Sequence, residues 1–184
     1  MTEPQMYEPG PANLARVLKD GEKKWTLILV RELRHSPEKV WQALIDPAQL
    51  REWAPFVTDG SLGALGMVNL TWVGASKPIE TKVTRVEAPR ALEYGDMRWE
   101  LEASGRGTRL TLWAKIDRGF VSMGAAGWHV AFDVLDHLLS GTPLGRIVGP
   151  EAMKFGHWQR LNAEYTKQFG IEAPNWPPRP AQKP

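Results

Sequence analysis

The residues whose types and spacing come closest to a chemical site are His129, Asp133 and His137. They are four residues apart, so a helix would place them along one stripe, and imidazole and carboxylate groups suit metal binding or acid–base catalysis. The two histidines, however, would be two turns apart, about 12 Å along the axis, which is too far for one metal ion. The stripe also lies opposite the apolar face of the same helix. We therefore expect no metal and no catalytic residue here, and a stripe that faces either solvent or a later helix.

That helix, predicted over residues 128–141, is the clearest amphipathic segment of the chain. Gly141 supplies its stop signal, and the glycines within residues 117–127 predict a bend or a mobile cap before it. At 100° per residue its apolar side chains share one broad arc, which contains Trp128, Ala131, Phe132, Val134, Leu135, Leu138 and Leu139. An apolar face of this length needs a sheet to cover it.

Residues 25–116 can supply that sheet. Residues 25–33 predict a first strand, and polar–apolar alternation after residue 56 predicts five or six more strands joined by short turns, so that neighbours pair antiparallel. Two short helices stand between, because Ser36 and Asp46 each precede a proline and have the side chains of helix caps. Helices segregated on one face of an antiparallel sheet define an α+β fold.

Composition narrows the classes of function. The chain has 184 residues with a net charge of +2 and no block of like charges, which gives no indication of nucleic-acid binding. It has no cysteine, which excludes disulfides and thiolate metal sites. No apolar run approaches the roughly 20 residues that a membrane span needs. Residues 1–14 lack the order of charges and apolar residues of a signal peptide, so we expect a cytoplasmic protein.

The chain resembles the START/Bet v 1-type superfamily, also called SRPBCC, and within it the activator-of-chaperone-ATPase-like branch. The resemblance rests on Pro37, Val40, Trp41, Ala43, Leu44, Asp46, Pro47, Leu50 and Trp53, on residues 107–112, and on Gly127, Trp128, Leu135, Asp136 and Leu138. It covers about residues 25–141. It implies a helix-grip fold, in which a curved antiparallel sheet wraps around a long C-terminal helix and leaves a pocket between them.

Four segments follow from these patterns. Residues 1–24 are expected to be an N-terminal extension, either with a short helix around residues 14–18 or as a loose leader. Residues 25–141 are the helix-grip domain, and residues 142–170 add a loop and a helix predicted over residues 151–169. Residues 171–184 are rich in proline and are expected to form an unfolded or surface-lying tail.

Nine tryptophans require either a large core or a cavity with aromatic walls. Core filling explains any one of them, but large flat side chains on both the sheet and the gripped helix favour an apolar cavity. The predicted ligand-binding residues are Trp72, Trp99, Phe120, Met123, Trp128, Phe132, Leu135, Tyr94 and Arg31.

Arg31 shares the inward face of the first strand with Leu27, Leu29 and Leu33. A buried arginine needs a carboxylate or a ligand anion. Glu32 or Glu93 is the expected protein partner.

These observations leave three functions open. The first is binding of a small apolar or aromatic ligand, with no cofactor, and we favour it because an apolar pocket with few polar groups suits binding better than bond breaking. The second is an enzyme of cyclase or hydrolase type that uses a cavity Tyr, Glu or Arg with water on a polycyclic or aromatic molecule. The third is an interaction module, with a homodimer left open and a chaperone partner implied only by the resemblance.

Overall fold

The structure, a computed structural model, describes residues 7–171. Eight strands form one antiparallel sheet in the order β1-β2-β8-β7-β6-β5-β4-β3. The strands are β1 (Ala15–Leu18), β2 (Lys24–Leu33), β3 (Phe56–Thr58), β4 (Gly66–Trp72), β5 (Ile79–Glu87), β6 (Ala91–Tyr94), β7 (Met97–Ser104) and β8 (Gly107–Asp117). The sheet is curved and holds a long helix, so the predicted α+β helix-grip fold is confirmed.

Besides a short 3₁₀ helix at residues 118–120, the described part of the chain has five α-helices. They are α1 (Pro37–Ile45), α2 (Pro47–Trp53), α3 (Val121–Leu139), α4 (Gly149–Lys154) and α5 (Gly156–Phe169). No helix within residues 7–171 combines the length and the apolar character that crossing a membrane requires.

The two predicted helix caps are present. The Ser36 hydroxyl accepts a hydrogen bond from the Lys39 amide at 3.2 Å, and the Asp46 carboxylate accepts one from the Ala48 amide at 3.0 Å. In both helices the following proline occupies the first turn, where its missing N–H costs nothing. The pair of helices therefore begins where local sequence signals place it.

The gripped helix α3 is longer than the sequence predicted, because it begins at Val121 rather than at Trp128. The bend predicted over residues 117–127 is confined to a short 3₁₀ helix at residues 118–120, and the residues after it are already helical. Of the glycines in this link, Gly124 packs closely against the sheet. A Cβ on Gly124 would lie 2.6 Å from the Ile116 side chain of β8. The missing side chain at Gly124 therefore lets the first turns of α3 approach β8 closely.

The expected short helix near residues 14–18 is also wrong. Residues 15–18 form strand β1, in which Ala15 pairs with Leu29 and Leu18 pairs with Thr26 of β2. Four residues are too short for a stable helix, and the edge of β2 offers them backbone partners. The sheet therefore begins before residue 25.

The helix predicted over residues 151–169 is divided into α4 and α5. Phe155 has an extended backbone, with φ −75° and ψ 118°, and separates the two helices. The predicted tail over residues 171–184 lies outside the described residues except for Ile171.

Candidate functional site

The middle of the interface between α3 and the sheet is filled by aromatic side chains. Trp128 of α3 is at their centre and is only 6% exposed. Its ring centroid lies 5.5–6.4 Å from the rings of Trp53, Phe56, Trp72, Trp99 and Phe132. The central space that the resemblance reserves for a ligand is therefore occupied by side chains of the protein.

An apolar pocket remains at one end of this interface, where β8 ends and β5 begins. Its volume is about 230 Å³. Trp128 forms one wall and Trp72 another, and their rings are 6.4 Å apart at 83°. The remaining apolar lining comes from Leu70, Ile79, Met97, Ala114 and Ile116. We call this space the apolar pocket.

Few polar groups reach the apolar pocket. The Thr81 hydroxyl lies in its lining but already donates a hydrogen bond to the Ile79 carbonyl at 3.1 Å. Asp96 and Lys115 are exposed at the rim, where each has a surface partner: Lys24 at 3.6 Å for Asp96 and Asp20 at 3.9 Å for Lys115. The pocket is therefore suited to an apolar molecule with little need for hydrogen bonding.

Of the nine predicted ligand-binding residues, the structure brings Trp72 and Trp128 together at the apolar pocket. Trp99, Phe132 and Leu135 are fully buried among other side chains. Met123 is also buried, whereas Phe120 is 52% exposed in a short turn before α3. Neither of these two lines the pocket.

Tyr94 and Trp99 form a buried polar pair behind the aromatic packing. The Trp99 Nε1–H donates to the Tyr94 hydroxyl at 3.0 Å. Burial raises the pKa of Tyr94 above its usual value. The Tyr94 side chain is 1% exposed and does not line the apolar pocket.

The ninth residue, Arg31, belongs to a separate polar cluster, which we define as Tyr7, Arg31, His129, Asp133 and Tyr165. Arg31 Nη1 lies 2.6 Å from Asp133 Oδ1. The Tyr7 hydroxyl donates to the other carboxylate oxygen of Asp133. The Tyr165 hydroxyl and His129 Nδ1 are 2.7 Å apart. The cluster joins β2, α3, α5 and the segment before β1.

The predicted partners of Arg31 are therefore wrong. Glu32 points to the opposite face of β2 and pairs there with Arg109 at 2.6 Å. Glu93 pairs with Arg85 of β5 at 3.3 Å. Successive side chains of a strand point to opposite faces, so the carboxylate beside Arg31 comes from the helix that covers the sheet, not from its neighbour on the strand.

The stripe of His129 and Asp133 faces the added helix rather than solvent. The two residues are 1% and 5% exposed, and Tyr165 of α5 packs against His129. Burial lowers the pKa of His129, so its imidazole is neutral at pH 7. His137 is more exposed and lies near Thr142, with Nδ1 3.4 Å from the hydroxyl. In residues 7–171 no group of three or more His, Asp or Glu side chains is arranged to hold a metal ion.

Tyr7 and Tyr165 are members of the cluster that the sequence did not single out. Burial raises the pKa of Tyr7, with the Asp133 carboxylate adding to the effect, and burial raises the pKa of Tyr165 to about 12. Each hydroxyl has a partner inside the protein, since Tyr165 also accepts from the Leu14 amide at 3.2 Å. The arrangement therefore stabilises the packing of distant segments. In the sequence, the polar cluster was indicated only by Arg31 on an apolar strand face and by Asp133 on the helix.

Most of the chain matches a known protein family. A family model described as polyketide cyclase / dehydrase and lipid transport matches residues 25–138, which is more than half of the chain. A search of curated proteins finds no match.

Solved structures share the fold at low identity. A conserved protein of unknown function from Enterococcus faecalis has a TM-score of 0.63 and 18% identity, over 86% of this chain and 92% of that one. CalU16 from Micromonospora echinospora has a TM-score of 0.59 and 21% identity, over 85% and 94%. DynU16, a putative protein of the dynemicin biosynthetic locus, has a TM-score of 0.56 and 19% identity, over 67% and 51%.

Proposed function

The chain belongs to the polyketide cyclase / dehydrase and lipid transport family of the SRPBCC superfamily, and on this premise we propose that it binds a small apolar or aromatic molecule in the apolar pocket. The superfamily resemblance is thereby confirmed. The chaperone-activator branch, a chaperone partner and a homodimer stay predictions. The observation that carries the proposal is the pocket itself, with two tryptophan rings at one corner and aliphatic side chains around it.

The size of the pocket indicates the size of the ligand. An apolar cavity of about 150 Å³ accommodates benzene. A volume of about 230 Å³ therefore suits a molecule of one or two rings. Trp72 and Trp128 meet edge to face, so an aromatic ring can pack against the face of one and the edge of the other.

Binding is better supported than catalysis because of where the ionisable groups lie. Catalytic groups usually have a shifted pKa and lie in the substrate cavity. Tyr7, His129 and Tyr165 have shifted pKa values, but none of them lines the apolar pocket. Tyr7 lines a separate polar hollow of about 470 Å³ with Arg31 and Asp133, where the Asp133 carboxylate already accepts its hydroxyl proton in a hydrogen bond. The apolar pocket has only Asp96 and Lys115 at its exposed rim.

Calorimetric titration with 2-naphthol, a neutral two-ring probe, tests this proposal. Ile79 lines the pocket and is 54% exposed, so Ile79→Asp places a charge at the mouth without disturbing the core. We expect binding by the unmodified protein and an affinity about tenfold lower in Ile79→Asp, because the carboxylate would lose hydration beside the ligand.

Met67→Asp is the matched control. Met67 is an equally exposed apolar strand residue, at 59%, that does not line the pocket. The affinity of the Met67→Asp variant for 2-naphthol should equal that of the unmodified protein. Failure of the unmodified protein to bind 2-naphthol, or equal loss in both variants, would contradict the proposal.

A further inference from the structure

A second concave surface lies outside the residues that the family model matches. It is formed by the segment after α3, by α4 and by the first turns of α5, and it has a volume of about 790 Å³. Arg146, Lys154, His157 and Arg160 line it together with Ile147 and Phe155. We call this surface the basic groove. Three of its lining residues carry a permanent positive charge, whereas Glu151 is the only carboxylate in the lining.

The positively charged residues of the basic groove differ in whether a carboxylate lies beside them. Lys154 is 3.1 Å from Glu151, and Arg160 Nη1 is 2.9 Å from Glu164. Arg160 also donates to the Pro9 carbonyl at 2.8 Å. Arg146 differs, because its Nη1 is shielded from solvent and has no hydrogen-bond partner among the described residues.

An unpartnered guanidinium N–H is unfavourable in a shielded position, because it has lost hydration without gaining an acceptor. An anion in the groove would offset this cost by pairing with the guanidinium of Arg146, which is half-buried and lines the groove. Arginine is well suited to the task, since its planar fork of N–H groups matches the oxygens of a carboxylate or phosphate.

The wall beside Arg146 is apolar. Ile147 is the next residue, and Phe155 is half-buried between Tyr7, whose ring stacks on it at 6.2 Å, and His157, whose ring meets it at 5.1 Å and 65°. Phe155 is thus held in place by aromatic neighbours. A rigid apolar wall beside a positive charge fits a molecule that is apolar at one end and anionic at the other.

We propose that the basic groove binds a small amphipathic anion, in which a carboxylate, sulfonate or phosphate pairs with Arg146 and an apolar body lies against Ile147 and Phe155. This ligand class differs from the neutral apolar molecule of the first proposal. The two sites are formed by different residues, so either proposal can fail without the other.

Titration of the full chain with naphthalene-2-sulfonate is the test. We expect the unmodified protein to bind it and Arg146→Gln to bind it at least about tenfold more weakly, because the charge-assisted hydrogen bond is lost. Arg146→Lys keeps the charge without the fork and should give an intermediate affinity. Added salt should weaken binding to the unmodified protein.

Two controls locate the probe. Arg106→Gln removes an equal charge from the exposed turn between β7 and β8 and should leave the affinity unchanged. Ile79→Asp, which alters the apolar pocket, should also leave it unchanged. Arg146→Gln should in turn bind 2-naphthol as the unmodified protein does, which also verifies that the variant is folded.

Three results would overturn the proposal. The first is no binding of naphthalene-2-sulfonate by the unmodified protein. The second is equal affinity in the unmodified protein and in Arg146→Gln. The third is loss of sulfonate binding in Ile79→Asp, which would place the probe in the apolar pocket and so support the first proposal against this one. If Arg146→Gln does not fold, Arg146→Lys decides the question, and unchanged affinity in that variant counts against the proposal.

Discussion

Arg31 Nη1 lies 2.6 Å from Asp133 Oδ1, and this contact joins strand β2 to the helix that the sheet holds. The side chains of the two residues are 23% and 7% exposed. Asp136 lies 3.6 Å from the other terminal nitrogen of Arg31, so the guanidinium has one close and one distant carboxylate. The pair compensates a charge that would otherwise be unfavourable inside the protein.

Asp133→Asn should therefore lower the stability of the protein strongly. The substitution leaves Arg31 without its close carboxylate and Tyr7 without its charged acceptor. Breaking a buried ion pair from one side costs about 3 kcal/mol in the free energy of unfolding. Urea denaturation of the variant and of the unmodified protein measures this difference in the free energy of unfolding. The control is Glu32→Gln, which breaks the exposed pair with Arg109 and should change stability little. Equal effects of the two substitutions would contradict the assignment.

The stability of the protein should fall in mild acid through His129. Burial lowers the pKa of this imidazole in the folded state, whereas the unfolded chain titrates near pH 6.5. Below about pH 6.5 the unfolded state therefore binds more protons, and the free energy of unfolding decreases. In His129→Gln this contribution is absent. Denaturation curves at pH 7.5 and pH 5.0 should show a smaller loss in His129→Gln than in the unmodified protein, and parallel losses would show that His129 does not contribute.

The tyrosines give a second prediction about pH, at the alkaline end. The chain has three tyrosines, and the pKa values of Tyr7, Tyr94 and Tyr165 are all raised, first of all by burial. The folded protein should therefore show no phenolate absorbance at pH 10.5, where an exposed tyrosine is more than half ionised.

The same groups should destabilise the fold in alkali. The unfolded chain loses phenolic protons near pH 10, whereas the folded chain keeps them to higher pH, so the free energy of unfolding falls as pH rises above about 10. Absorbance at 295 nm, recorded with and without 8 M urea, compares the two states directly. A tyrosine that ionises near pH 10 in the folded protein would be inconsistent with the buried positions.

Trp128 should limit the size of the ligand that the apolar pocket accepts. Trp128→Leu removes a ring that contacts five other aromatic side chains and forms the inner wall of the pocket. We expect a loss of about 3 kcal/mol in stability, because the substitution leaves space in the core. The variant should also bind 9-phenanthrol, a neutral three-ring probe, more tightly than the unmodified protein does.

Trp113→Leu is the control for this prediction. Trp113 lies on the outer face of β8 under Arg98, whose guanidinium carbon is 4.0 Å from its ring centroid. Trp113 does not line the apolar pocket, so the Trp113→Leu substitution should not change the affinity for 9-phenanthrol. If Trp128→Leu and the unmodified protein bind the probe equally, the pocket is not bounded by this ring.

The fold was predictable where its signals are local. Ser36 and Asp46 cap their helices within three residues, and the alternation along β8 is decided by its own side chains. The strand at residues 15–18 was not predictable in this way, because only the edge of β2 makes it a strand. The sequence of residues 15–18 contains no information about the edge with which they pair.

For the candidate site, the sequence predicted only which face of each strand or helix a side chain occupies. The sequence places Trp72, Trp99 and Trp128 on the inner faces of the sheet and helix, but packing in three dimensions leaves Trp99 in the core and the other two at a pocket. The partner of Arg31 was missed for the same reason, since Asp133 comes from a helix more than ninety residues later in the chain. Contacts of this range depend on the assembled fold.

The attachment of the first described segment to α5 has a consequence for the order of folding. The Ala12 amide donates to Glu164, and the Leu14 amide donates to Tyr165, across sequence separations of 152 and 151 residues. During synthesis these two amides leave the ribosome long before their acceptors exist. The strands and α3 can associate as they emerge, and α3 already offers Asp133 to Tyr7. The amides of Ala12 and Leu14, however, gain their acceptors only after α5 has been translated, so this segment is the first described part to be made and among the last to be fully secured.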